Sequence, residues 1–218
     1  MIGDDIQYHS DYELAVSQLL PSIEQKLKEQ ERIVIAIGGE SGCGKSSLAK
    51  VLSVQLEQLT GTEPYTLHSD DYFKLPPKDN HEARLKDFSR IGPEEVDLEL
   101  LDTHSELFKN GVKNITKPLV DYEKNEILKK TITISLRNSL IIEGTYAILL
   151  KNTDIRVFME ATFRDSENRR IGRDRDPINE FNNRVLEKEH TIIKAHRELA
   201  DFVISKSLQL TYKTKKYD

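Results

Sequence analysis

The stretch from Ile33 to Ala49, IVIAIGGESGCGKSSLA, constrains the chain more than any other. Ile33–Ile37 is a continuous run of β-branched and small apolar residues, the pattern of a strand buried on both faces. Gly39, Glu40, Ser41, Gly42, Cys43, Gly44, Lys45 and Ser46 then fit G-x-x-x-x-G-K-[ST], and Ser46 and Ser47 open a helical pattern. That order has a physical reason. Glycines let the backbone curl with its N–H groups turned inward, which makes an anion nest. The helix N-terminus adds partial positive charge and unpaired donors. Lys45 can then reach the outer phosphates of a nucleoside triphosphate, and the Ser46 hydroxyl can take a position on Mg²⁺. The plainer alternative is a glycine-rich turn between strand and helix; the spacing favours a phosphate loop.

Bulk properties narrow the class. The 218 residues suit one α/β domain with an elaboration. A net charge of −5 gives no overall pull toward nucleic acid or an anionic membrane, and no apolar run is long enough to cross a bilayer. Met1–Tyr12 is acidic and lacks an apolar core segment, so it is not expected to be a signal peptide. The single cysteine cannot form an internal disulfide, which fits a reducing compartment; a cytoplasmic location is expected.

In chain order, Leu14, Leu19, Ile23 and Leu27 have roughly helical spacing and predict an N-terminal helical segment within residues 1–31. After the phosphate loop the helix runs to a stop at Gly61, and Pro64–Ser69 reads as a second strand. Asp70 and Asp71 stand at its C-terminal end, where ligands of open parallel sheets sit. Lys74 to Pro93, with Arg90, reads as a long polar binding loop. Glu94 to Lys109 reads as a helix, and Ile115 to Ile134 alternates around Glu123-Lys124-Asn125 like a β-hairpin standing off the main sheet. Residues 74–136 therefore form the candidate acceptor-binding elaboration. Ser139–Ile142 is a buried strand ending in Glu143, an acid at a strand tip beside the phosphate loop and a candidate magnesium group acting through water. Ile155–Met159 is another strand. Residues 163–176 hold five arginines among four acids, read either as a solvated ion-paired helix or as a phosphate-clamping lid. Phe181 to Leu199 reads as one long helix, Ala200–Ser205 as a last strand, and the Lys213–Lys216 end as a frayed tail.

A phosphate loop serves switches, motors and small-molecule kinases. An Asn-Lys-x-Asp guanine reader is absent (Lys151-Asn152-Thr153-Asp154 has the wrong order), and so is a Leu-Ser-Gly-Gly-Gln transporter signature. An arginine-rich lid with a carboxylate at the second strand tip favours a kinase using ATP and Mg²⁺. Lys45 and the arginines would neutralise charge on the transferred group. Asp70, with Asp71 as the second choice, would take the proton of an acceptor hydroxyl.

The segments IAIGGESGCGKSSLAKVLS, HSDDYFKLPP, RIGPEEVDLELL, KPLVDYEKNEI, LIIEGTYAILL, VFMEATFRDSENRRIGRDRD and ADFVI fall in an order and spacing that resembles the uridine kinase and phosphoribulokinase-like P-loop kinases. The resemblance runs from Arg32 to Ser205 and is nearest the bacterial and archaeal uridine kinase branch. It implies a P-loop NTPase fold: a mostly parallel sheet flanked by helices, with a β-hairpin insertion and an arginine-rich helical lid. It implies Asp70 as general base, Phe73 as the aromatic that helps hold a nucleoside, and Glu143 as the acid supporting magnesium. Arg169, Arg170 and Arg173 match the lid arginines, Arg170 on ATP and the other two on the transferred group. It also implies a small-molecule hydroxyl as partner and allows for a homo-oligomer.

The resemblance is uneven. Where the well-studied uridine-cytidine kinases carry an Asp-His before proline, this chain has Ile91-Gly92-Pro93. Val120, Asp121, Tyr122 and Asn125 stand where those enzymes cradle the base, and Ser166 replaces a further lid arginine. Asp71, Phe73, Arg90, Tyr122 and Asn125 are thus the candidate acceptor contacts. The acceptor reading stays divided between the 5′-hydroxyl of uridine or cytidine and a sugar or pantothenate-like alcohol. A non-catalytic nucleotide-binding regulator is the third reading. Cys43, near a helix N-terminus and Lys45, is expected to favour its thiolate, although a small residue that fits the loop is the simpler account. His81, His104, His190 and His196 show no metal spacing, and the last two read as surface or packing residues.

Overall fold

A computed structural model describes residues 6–165 and 179–212. A six-stranded sheet runs through its centre, its neighbouring strands in the order Tyr65–His68, Ser139–Glu143, Ile33–Gly39, Ile155–Met159, Phe202–Ile204 and Leu210–Tyr212. The helix α1, Glu13–Glu29, follows a short 3₁₀ turn at Ser10–Tyr12 and contains Pro21 on its exposed side. The strand β1, Ile33–Gly39, is buried along its whole length. The phosphate loop then leads into α2, Lys45–Thr60, which Gly61 ends at φ 70° with its N–H on the Glu57 carbonyl. Next come β2, Tyr65–His68, and a 3₁₀ turn, Ser69–Tyr72.

The segment read as a long loop holds a helix, α3, Pro77–Lys86. None of its residues is buried, so no apolar stripe marks it in the sequence. The helix expected from Glu94 divides into a 3₁₀ turn, Pro93–Glu95, and α4, Leu98–Lys109, because Asp97 caps the second piece by accepting from the Leu100 N–H at 3.0 Å. The hairpin is present: β3, Asn114–Asp121, pairs antiparallel with β4, Glu126–Thr133, as a separate two-stranded sheet.

The strands β5, Ser139–Glu143, and β6, Ile155–Met159, flank β1 in parallel. The long helix expected from Phe181 is α5, Glu180–Ile193, followed by a 3₁₀ stretch, Lys194–Leu199. Last come β7, Phe202–Ile204, and β8, Leu210–Tyr212, an antiparallel edge strand. The Lys213–Lys216 tail and residues 166–178 of the expected lid lie outside the described residues.

Alternation along β1 divides the core. Ile33, Ile35 and Ile37 pack with Leu19 and Ile23 of α1 and Leu48 and Leu52 of α2. Val34 and Ala36 face the other way, toward Leu101, Phe108, Ile142, Phe158 and Ile193. Both faces of the parallel sheet are therefore covered, which explains the unbroken apolar run that marks β1.

Candidate active site

Three strand ends meet at one level. Glu143 of β5 is in register with Ile37 of β1 and His68 of β2, so their C-terminal ends open on a common crevice, where ligands of open parallel sheets bind. The phosphate loop leaves β1 there. Gly44 caps α2 at φ 105°, and a Cβ on it would overlap the hydroxyl of Tyr12. The loop is thus backed by the N-terminal segment, with Tyr12 buried behind it.

Lys45 is buried, and its Nζ donates to the Glu40 carbonyl at 2.8 Å. The Glu40 side chain turns away from the nest. Its Oε2 accepts from the Phe163 N–H at 2.8 Å, and its Oε1 accepts from His190 Nδ1 at 2.6 Å. Glu40 accordingly enters the loop as a brace, with its carboxylate held by β6's exit and by α5. Cys43 departs from expectation. It is 1% exposed, and burial pushes its thiol up by more than Lys45 draws it down, so the thiol form is favoured.

On the other side of the loop, Ser46 Oγ donates to Glu143 Oε1 at 3.2 Å, and His68 Nδ1 donates to the same oxygen at 2.7 Å. Burial raises the Glu143 pKa. The hydrogen bond and charge of His68, with Lys45 and Ser46, outweigh burial and hold the carboxyl below the usual range. A hydroxyl and an ionised carboxylate are hard oxygen donors of the kind Mg²⁺ takes, since that ion keeps most of its waters and few protein ligands. The donor set fits magnesium. Ser46 would hold it, and Glu143 would support it through water.

The turn after β2 reaches the same place because of Gly144. That residue has φ 159°, and a Cβ would overlap the Ser69 hydroxyl, so the turn packs directly on the exit of β5. Asp70 is thereby brought into the electrostatic reach of Glu143 and Lys45. It is half-buried, and its carboxylate accepts no hydrogen bond among the described residues. Burial raises its pKa, and the negative Glu143 raises it further. An unengaged carboxylate with elevated basicity, at the mouth of a phosphate loop, is equipped to take a proton.

The other expected acceptor residues are placed differently. Asp71 is fully buried; its carboxylate accepts from Lys117 Nζ and from the Val120 N–H at 3.0 Å, pinning the hairpin to the strand tip. Asn125, at φ 56°, accepts from the Lys78 N–H at 2.7 Å and donates to Asp79 at 3.0 Å. Both side chains are engaged within the protein as struts. Phe73 is half-buried and bridges to Val96; Tyr122 is half-buried at the hairpin turn; Arg90 is exposed. Arg169, Arg170 and Arg173 lie outside the described residues.

Sequence reasoning passed over Lys117 and read His190 only as a surface or packing residue. Lys117 shares the inward face of β3 with Ile115, and a charge on that face was the available signal. His190 offered none, because its partner is 150 positions away in the chain.

With this geometry in view, a family model described as "Phosphoribulokinase / Uridine kinase family" matches residues 34–209. The bifunctional alpha-galactosidase/sucrose kinase AgaSK of Mediterraneibacter gnavus is 31% identical over 191 residues, covering 81% of this chain and 20% of that protein. A uridine kinase of Serratia proteamaculans is 32% identical over 137 residues, covering 62% of each. The chain thus spans less than two thirds of the length of these relatives. Among solved structures, a possible uridine kinase from Bacillus stearothermophilus superposes with a TM-score of 0.64 at 21% identity, covering 87% of this chain and 96% of that one. At that identity the likeness speaks for the fold.

Proposed function

The chain belongs to the phosphoribulokinase/uridine kinase family, and from that premise we propose that it transfers the terminal phosphoryl group of ATP to a hydroxyl of a small molecule. The observation that carries the reading is Asp70, a carboxylate unengaged among the described residues and within electrostatic reach of Lys45 and Glu143. In the step, the acceptor O–H proton passes to Asp70 as the acceptor oxygen bonds to phosphorus. The bond from phosphorus to the bridging oxygen breaks, and ADP leaves with that electron pair. Lys45 leaves the Glu40 carbonyl for the triphosphate and offsets its charge. Magnesium, when bound with the nucleotide, neutralises developing charge on the phosphate oxygens. Arg169, Arg170 and Arg173, which lie outside the described residues, are the side chains the family resemblance would assign to the same charge.

For the acceptor, we infer a nucleoside, with the 5′-hydroxyl of uridine or cytidine first. A second reading, a sugar or other metabolite alcohol, is favoured by Ile91-Gly92 in place of the Asp-His of the uridine-cytidine kinases, and by Asn125 being engaged with α3. A coupled ADP-release assay across nucleosides, sugars and polyols decides between them. Turnover with uridine or cytidine alone supports the first reading, and turnover with sugars alone supports the second. MgATP binding with no acceptor-stimulated turnover overturns both in favour of a nucleotide-binding regulator. Lys45→Ala is expected to abolish turnover.

A further inference from the structure

Glu189 and His190 are neighbours on α5, and they reach in different directions. Glu189 accepts from Arg84 of α3 at 3.0 Å, while Arg84 also donates to the buried Glu95 at 2.6 Å. His190 Nδ1 meets Glu40 Oε1 of the phosphate loop at 2.6 Å. One turn of one helix is thus bonded both to the polar helix beside the candidate acceptor site and to the loop that would hold ATP.

Glu40 transmits the second of these bonds to a functional group. Its backbone carbonyl accepts from Lys45 Nζ and from the Cys43 N–H at 3.2 Å, so the placement of Glu40 sets where the lysine starts and how the nest curls. The carboxylate is 5% exposed by residue and must find partners inside the protein. Among the described residues it has two: the Phe163 N–H and His190. The imidazole is held in turn, its ring edge-on to Phe163 with centroids 6.1 Å apart. A charge-assisted hydrogen bond of this length is directional, and an oxyanion nest functions only when its N–H groups are already aimed.

We propose that His190 is a positioning residue for the phosphate loop, acting through Glu40 to hold the nest and the Lys45 ammonium in the conformation that receives ATP. Its role would run through Glu40 and not through contact with a substrate. Removing it leaves a buried carboxylate with one fewer donor, and residue 40 relaxes toward whatever donor it can find. The inference rests on the proposed ATP site and deepens it.

The test uses MgATP as the titrant, because binding can be read without knowing the acceptor. His190→Leu removes the donor and keeps bulk; His190→Gln keeps an N–H on a flexible stem. The expected result is a rise of about tenfold in the MgATP dissociation constant for His190→Leu, with recovery to within about threefold of wild type in His190→Gln. The melting midpoint of the nucleotide-free protein is expected to be nearly the same for the two variants. Equal MgATP affinity in wild type and His190→Leu overturns the proposal. So does equal weakening in Leu and Gln, which would mark the residue as packing alone. Should His190→Leu fail to fold, Glu40→Gln serves instead. It keeps a carbonyl acceptor for one donor and loses the charge, and wild-type affinity in that variant also overturns the proposal. Wild-type protein that binds no MgATP overturns the ATP site itself, an outcome separable from the others because the variants are then irrelevant.

Discussion

Asp70 and Asp71 are adjacent in sequence and opposite in circumstance. Asp71 is closed off by Lys117 and the hairpin backbone, and Asp70 is left with a negative neighbour and no donor among the described residues. Nothing in the dipeptide separates them, because the difference arises from which way a 3₁₀ turn presents each side chain. A carboxyl whose folded pKa is raised binds its proton more tightly when folded, so stability falls as pH rises through that interval. Asp70→Asn is therefore expected to melt higher than wild type at neutral pH, with the gap closing on acidification. Its kcat is expected to fall by about 10²-fold or more with MgATP binding nearly unchanged. Thermal melts across pH and single-turnover kinetics check the two halves separately. Cys43 gives a second residue-level expectation. Buried and held as a thiol, it is expected to alkylate at least about tenfold more slowly in the native protein than in denaturant, measured with iodoacetamide.

At the scale of elements, what could be read was what repeats. The phosphate loop, the strands flanking it and the alternating hairpin each carry a local pattern, and the structure contains all of them. The helix α3 buries none of its residues and is held by side chains from elsewhere: Asn125 at its start, Glu95 and Glu189 at Arg84. Such a helix has no periodicity to read. The three-residue β8 and the 3₁₀ stretch after Ile193 are likewise products of packing. The candidate site divides the same way, with the loop residues legible and the His190–Glu40 brace not. The hairpin's anchorage makes an element-level prediction. Lys117→Met leaves Asp71 buried without its cation and is expected to destabilise the fold by about 3–5 kcal/mol, read from denaturant melts. Adding Asp71→Leu is expected to recover most of that loss, because the pair is then replaced by apolar groups.

At the scale of the whole molecule, two buried histidines contribute to the response to acid. His104 is 4% exposed and shares a hydrogen bond of 2.8 Å with Tyr72; burial, then the charge of Lys117, lowers its pKa. His196 is 7% exposed, and burial alone lowers its pKa. The unfolded chain takes up protons near the ordinary value of 6.5 while the folded protein does not. Stability is therefore fully present above that value and is lost as pH falls below it, by up to about 1.4 kcal/mol per pH unit for each histidine. Melting curves between about pH 7.5 and 5.5 are expected to show this slope, and a His104→Gln/His196→Gln variant is expected to flatten it.

The contact between Gly144 and Ser69 has a mechanical corollary. With no room for even a methyl group between them, the strand tip carrying Glu143 and the turn carrying Asp70 behave as one anvil. Adaptation to differently shaped alcohols must then come from the struts around that anvil, namely α3 and the hairpin tip where Asn125 joins them. Exchanging those two parts together, with the anvil untouched, is the economical route to a new acceptor.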